Sequence, residues 1–360
     1  FFYMKWILPP NRKESIIDFL LKQRGLEGLN LSSLDMIKPA FDMYNVEKAS
    51  DEVFKAVKLG KKIFIHGDFD ADGITATAIL WSFLYKELNA NVTPYIPNRF
   101  DEGYGLSDKS IQAMINMGAE LIITVDCGIK DIELVYKYSD KVDFIITDHH
   151  TSRKQTDESL DKAIYLVKNN FLLPAKAKAV VHPKINHPQE ELCGAGVAWK
   201  LCYTINQKYI NSEYIFKLLG LVAIGTVCDI MPLVGENRLF VKEGIKQLRT
   251  GTNIGINELC KVSGIEFTEI SSYQIGYIIG PRLNAAGRLG SAIDSVRLLS
   301  TESQANAKNL AQKLNDLNIR RQNLTLEYFL EAEKLVEKDK EIIFIKGEKW
   351  HEGRVGLIAG

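Results

Sequence analysis

The sequence predicts an α/β protein: a parallel sheet with helices on both faces, then a long connecting helix and the start of a second α/β domain. Three observations predict it. Short, continuous apolar runs recur between residues 62 and 147, segments of helical character separate them, and three of the runs end in polar loops rich in Asp and His. Strands buried on both faces read as unbroken apolar runs, and parallel neighbours need a crossover, usually a helix.

Taken in order, residues 15 to 60 read as helices and loops, with Pro39 as a breaker. The run at 62–66 is the first strand, and a helix follows over 75–88 with a broad apolar face. Residues 92–96 form the next strand. Ser107 then caps a helix that closes at Gly118. The runs at 121–125 and 144–147 are strands of the buried type, and residues 195–250 are mainly helical. From about 302 to 338, apolar residues at Ala307, Leu310, Leu314, Leu317, Leu324, Tyr328 and Leu335 keep 3–4 spacing. That marks one amphipathic helix, or two end to end, packing its stripe on the adjoining domain rather than a coiled coil. A new strand opens at 341–345. The predicted organisation is a helical lead-in (1–50), a catalytic domain (51–300), a connecting helix (301–340) and the beginning of a further domain (341–360).

Composition narrows the class of function without naming one. With 45 basic and 45 acidic residues, the net charge of zero excludes a protein that holds nucleic acid by bulk charge; a local patch would have to do it. Five scattered cysteines with no C-x-x-C pair argue for a reducing cytoplasm and against a structural zinc site. No apolar run approaches the roughly 18 to 20 residues that span a bilayer, and residues 1–6 carry no secretory signal. A cytoplasmic location is expected.

Open parallel sheets carry their sites at the carboxyl ends of strands. Here the first strand runs into His66-Gly67-Asp68-Phe69-Asp70-Ala71-Asp72-Gly73, the third into Asp126-Cys127-Gly128, and the fourth into Asp148-His149-His150. In an extended segment Asp68, Asp70 and Asp72 would share one face, with Gly67 and Gly73 allowing tight turns. Asp229 closes the apolar run 221–228. So many carboxylates in one place need a neutralising cation, and oxygen ligands with a minority of imidazole suit Mn²⁺ or Mg²⁺. Singly, each piece has a plainer explanation: a D-x-D is usually a solvated loop, a strand-terminal Asp a helix cap, a His-His pair a surface accident. Their joint placement at strand ends outweighs these. A calcium loop counted from Asp68 would need Glu at its twelfth position, where Ile79 stands. No phosphate-binding P-loop, dinucleotide fingerprint or serine nucleophile elbow is present.

Asp148-His149-His150 resembles the signature of the DHH phosphoesterases, and HGDFDADGITATA (66–78), TVDCGI (124–129) and GTVCDIMPL (225–233) are similar to other motifs of that superfamily. YIPNRFDEGYGL (95–106), ELCGAGVAWKL (191–201) and GPRLNAAGRLG (280–290) resemble segments of its RecJ-type branch, as do WILPPNR near the start and KWHEGRVGLIAG at the end. The resemblance implies a DHH domain and two-metal hydrolysis of single-stranded DNA from the 5′ end, in repair and recombination. It implies two Mn²⁺ or Mg²⁺ ions held by Asp70, Asp72, Asp126, His149 and Asp229, with Asp126 the bridge. His66 or Asp68 is a further ligand, a choice the sequence leaves open. His150, Arg282, Asn284 and Arg288 would meet the substrate phosphate, the last three from a loop; a glycine-bounded turn is the plainer account of that segment. Expected partners are single-stranded DNA, single-strand-binding protein and a helicase, with no membrane and a monomeric chain. Residues 341–360 would open the family's second, DHHA1-like domain, and the sequence ends before the rest of it, which implies an intact metal centre and impaired DNA binding. Two alternatives are a DHH hydrolase of small substrates (oligoribonucleotide, cyclic dinucleotide or pyrophosphate) and an inactive replication scaffold.

Overall fold

The computed structural model describes residues 15–25, 43–153, 160–187, 191–336, 345–347 and 350. The chain divides into two compact units, 1–36 and 37–360. The described part of the first is one helix, α1 (Ile16–Gln23), capped by the Ser15 hydroxyl, which accepts from the Asp18 N–H.

The described part of the second unit starts with α2 (Val46–Lys58) and then alternates strictly: β1 (Ile63–Gly67), α3 (Ala71–Leu88), β2 (Val92–Tyr95), α4 (Asp108–Asn116), β3 (Leu121–Val125), α5 (Ile132–Tyr138), β4 (Asp143–Thr147). A short antiparallel hairpin, β5 (Tyr165–Lys168) and β6 (Phe171–Pro174), precedes β7 (Ala179–Val181). The main sheet is parallel throughout, in the order β2-β1-β3-β4-β7. Alternate residues of each strand face opposite ways. Ile63, Ile65, Ile123 and Ile145 accordingly join one buried cluster with α2, α3 and α7, while Phe64, Ile122, Phe144 and Ile146 join a second with α4 and α5. The predicted parallel sheet with two covered faces is what the chain forms.

Helices make up most of the remainder. They are α6 (Pro183–Asn186), α7 (Gly194–Tyr209), α8 (Tyr214–Lys217), α9 (Leu219–Cys228), α10 (Gly235–Leu248), α11 (Ile254–Val262), α12 (Ser272–Gln274), a π-helical turn at Ile275–Ile279, α13 (Gly280–Leu289), α14 (Ile293–Ser300) and α15 (Gln304–Leu335). The connecting segment is one helix of 32 residues, buried on a stripe that includes Ala307, Ala311 and Leu314 and packed on α11, α13 and α14. No helix among the described residues is long and apolar enough to cross a membrane.

Four expectations are corrected. The first crossover helix begins at Ala71, four residues ahead of the predicted start, because Asp70 caps it: its Oδ1 accepts from the N–H groups of Asp72 and Gly73. Asp68, Asp70 and Asp72 therefore do not share the face of an extended segment; Asp72 already lies in the helix. Gly67 and Gly73 make no tight turn either. One sits in β1 and the other in α3, and both permit close approach: a Cβ on Gly67 would lie 1.9 Å from Thr77 Oγ1, and one on Gly73 2.6 Å from Asp68 Cβ. Finally, all of 280–290 but its last residue is the helix α13 (Gly280–Leu289), with Gly290 as its C-cap, so the segment is neither a loop nor a turn. Pro39, all but Ile345 of the strand expected at 341–345, His351, the DHHA1-like opening apart from 345–347 and Trp350, and the RecJ-like segment near the start lie outside the described residues.

Candidate metal centre

From β1 the chain crosses to β2 on one side of it and then returns to β3 on the other. The carboxyl ends of β1 and β3 thus flank a topological switch point, the crevice where open α/β sheets bind ligands. Register brings the strand ends level, Gly67 opposite Val125, Val125 opposite Thr147 and Thr147 opposite Val181. One residue beyond each end stand Asp68, Asp126, Asp148 and His182, along a single rim.

Two donor triads sit at this rim, each with ligand atoms within 4.8 Å of one another: Asp68, Asp70 and Asp126 in one, Asp72, His149 and Asp229 in the other. They adjoin where His149 Nε2 lies 3.0 Å from Asp126 Oδ1; the same nitrogen is 3.7 Å from an oxygen of Asp72 and of Asp229. Asp126 takes a left-handed backbone (φ 63°), which Asp tolerates better than most residues. Asp72 is buried, and its carboxylate accepts from the N–H groups of Gly194 (2.5 Å) and Ala195 (2.8 Å) at the start of α7, so backbone amides and the positive helix terminus hold its charge. Gly194 has to be glycine, since a Cβ there would come within 2.5 Å of Asp126 Cβ. Asp229 follows the last residue of α9 as its C-cap.

The donor set fits a pair of hard divalent cations. Asp68 Oδ1, Asp126 Oδ1, His149 Nε2 and Asp229 Oδ2 are buried and make no hydrogen bond, a costly state unless something else meets them. Burial, then mutual repulsion, raises the carboxyls: Asp68 to about 7 with Asp70 as the main neighbour, Asp72 to about 6, Asp229 to about 6, and Asp126 well above the usual range. Burial holds the His149 imidazole neutral, the form that ligates. His66 is enclosed, lies against the Tyr95 ring, and is pushed down to about 4 by burial. Its Nε2 also lacks a partner, yet no donor group among the described residues includes it.

Behind the triads lies a network that sequence patterns did not reveal. Asp148 accepts from the N–H groups of Ile129, His149 and His150, and its Oδ1 is 2.8 Å from His150 Nδ1. Burial alone would raise it, but these bonds pull Asp148 down to about 2. The Tyr104 hydroxyl donates to the Asp126 carbonyl (3.1 Å) and lies 3.0 Å from His150 Nδ1. His182 Nε2 donates to the His150 carbonyl at 2.8 Å while its Nδ1 accepts from the Lys184 N–H. His150 also joins a triad of donors with Asp126 and His149.

The α13 residues divide. Arg282 donates from Nε to Asn315 of α15 and from Nη1 to the Ile278 carbonyl. Asn284 Oδ1 accepts from the Ala71 N–H at 2.7 Å. Arg288 lies within electrostatic reach of Arg99, Arg321 and Asp70.

Residues 62–226 match the DHH family, N-terminal domain. The chain is 35% identical to the single-stranded-DNA-specific exonuclease RecJ of Bacillus subtilis, over 96% of this chain and 42% of that protein. To the RecJ of Escherichia coli it is 33% identical, over 93% and 59%. The chain thus spans roughly half the length of these relatives. Among solved structures, an exonuclease RecJ bound to manganese matches with a TM-score of 0.77 at 31% identity, over 92% of this chain and 78% of that one. RecJ of Thermus thermophilus in complex with Mn²⁺ matches at 0.75 and 30%, over 94% and 47%.

Proposed function

Because the chain belongs to the RecJ branch of the DHH family, we propose that it is a metal-dependent phosphodiesterase that hydrolyses single-stranded DNA from the 5′ end, in repair and recombination. The observation that carries this is the pair of adjoining donor triads at the β1/β3 switch point, with four buried ligand atoms that make no hydrogen bond among the described residues. Asp68, Asp70 and Asp126 would hold one divalent ion, and Asp72, His149 and Asp229 the other, with Asp126 at the seam. Asp68 is favoured over His66 because it alone belongs to a triad. When bound, such an ion pair lowers the pKa of a coordinated water and offsets charge on the phosphoryl oxygens.

The chain's own side chains do the rest. Burial alone would lower His150, but the Asp148 carboxylate at its Nδ1 raises it, and the imidazolium so favoured would donate from Nε2 to a substrate phosphate oxygen. Arg288 adds a cation beside Asp70, where negative charge builds on the phosphate. Arg282 contributes from a distance, since its Nε and one Nη are engaged on α15 and the helix before it. The catalytic domain is assigned to 51–300, with α15 as its connector. A cytoplasmic monomer that works beside single-strand-binding protein and a helicase completes the proposal; co-sedimentation with each partner tests it.

Mn²⁺-dependent release of mononucleotides from 5′-labelled single-stranded DNA is the deciding assay, run beside duplex DNA, an RNA dinucleotide and pyrophosphate. Single-stranded DNA is expected to be the preferred substrate. Faster turnover of the dinucleotide or pyrophosphate would overturn the proposal in favour of a small-substrate hydrolase, and no turnover of any would favour a scaffold.

A further inference from the structure

We infer that Asn284 is a positioning residue for the metal-binding loop, acting on Asp70 through the α3 N-terminus rather than on the substrate phosphate. An N-cap side chain reaches the second and third N–H groups of its helix, not the first. Asp70 follows this rule: its Oδ1 accepts from Asp72 and Gly73, at 2.9 and 3.0 Å. The first amide, Ala71 N–H, is left over. Asn284 Oδ1 takes it at 2.7 Å, from 213 residues away. The peptide that joins Asp70 to Ala71 is thus clamped on both sides, by the cap from within and by α13 from without.

A second contact supports the clamp. One turn further along the same face of α13, Gly287 lies so close to the loop that a Cβ would stand 2.5 Å from the Phe69 carbonyl oxygen. The helix is fastened from behind, by Arg282 to Asn315 of α15 and by the Ser295 hydroxyl, which donates to the Leu283 carbonyl. Asn284 therefore transmits a rigid position of α13 to the segment that carries Asp68, Asp70 and Asp72. Outer partners of ligand residues typically change metal affinity 10- to 100-fold when removed.

The inference rests on the metal-centre proposal, and binding of the metal alone separates the two. Mn²⁺ titration followed by electron paramagnetic resonance, without DNA, is the measurement, on the wild-type chain, Asn284→Ala and Asn284→Asp. Asn284→Ala, which removes the acceptor, is expected to bind Mn²⁺ at least about ten-fold more weakly. Asn284→Asp keeps an oxygen for the Ala71 N–H and is expected to bind at or above wild-type affinity, a rescue that general destabilisation would not give. KM for single-stranded DNA should stay within about three-fold in both, with kcat falling in the alanine variant at limiting Mn²⁺. Wild-type affinity in Asn284→Ala, or a raised KM in both variants with Mn²⁺ affinity unchanged, would overturn the inference and mark a phosphate contact. A wild-type chain that binds no Mn²⁺ would instead overturn the metal centre itself.

Discussion

At the scale of single residues, the centre is governed by what surrounds each charge. Asp72 is buried yet met by two amides, while Asp126 shares its cavity with other carboxylates and is met by none. Space is as tightly set as charge. Gly194→Ala would push a methyl group into Asp126, so this variant is expected to lose about ten-fold or more in Mn²⁺ affinity, read by the same resonance titration. His182 gives a pH signature. Burial lowers it from 6.5 to about 4, and both ring nitrogens are occupied in the neutral form. Between those values the unfolded chain binds a proton that the folded chain refuses. This contribution to stability is therefore complete above about pH 6.5 and lost as pH falls towards 4, by up to about 3 kcal/mol. Urea unfolding in chelator should show a flatter dependence over that window in His182→Gln than in wild type, and parallel curves would contradict the assignment. The clustering of the acidic and histidine side chains was legible because several such residues, each ordinary alone, follow the ends of separate strands of one parallel sheet. His182, Tyr104 and the amides of Gly194 and Ala195 were not legible, because a backbone N–H has no letter and a lone His or Tyr carries no pattern.

Elements show the same division between periodic and aperiodic signals. Strands β1 to β4 and helices α3 and α4 came within a few residues of their predicted places, since unbroken apolar runs and an N-cap serine at Ser107 mark them. The three-residue β7 and the short helices between Ile254 and Ser300 had too few residues to establish a period. GPRLNAAGRLG misled for a definite reason: its glycines suggest a turn, whereas in α13 Gly287 permits contact with Phe69. Similar logic joins α9 to α10. Gly244 faces the Leu219 carbonyl oxygen so closely that a Cβ would sit 2.3 Å away. Gly244→Val is expected to destabilise the fold by about 1–3 kcal/mol through overpacking. Because α9 carries Asp229, Mn²⁺ affinity should fall with it; denaturant midpoints together with Mn²⁺ titration check both.

For the molecule as a whole, ion binding and folding are linked. A ligand at about 100 times its Kd stabilises the state that binds it by about 2.7 kcal/mol. Saturating Mn²⁺ should therefore raise the calorimetric midpoint by several degrees over the chelated protein, and an unchanged midpoint would contradict a centre built into the fold. The parallel sheet and the connecting helix were readable at this scale, but how α13 reaches back to α3 was not, since nothing local records a contact over 213 residues. That reach has a consequence for biosynthesis. Asp72 finds its amide partners 122 and 123 residues later, and the Ala71 N–H waits longer still for its acceptor. A ribosome that has released β1 to β4 has already delivered most of the proposed ligands, yet the Ala71 N–H beside them finds its acceptor only once α13 emerges. With the proposed ligand set, metal loading would be a late event of synthesis, and a nascent chain stalled before Gly194 is expected to retain Mn²⁺ far more weakly than the finished one.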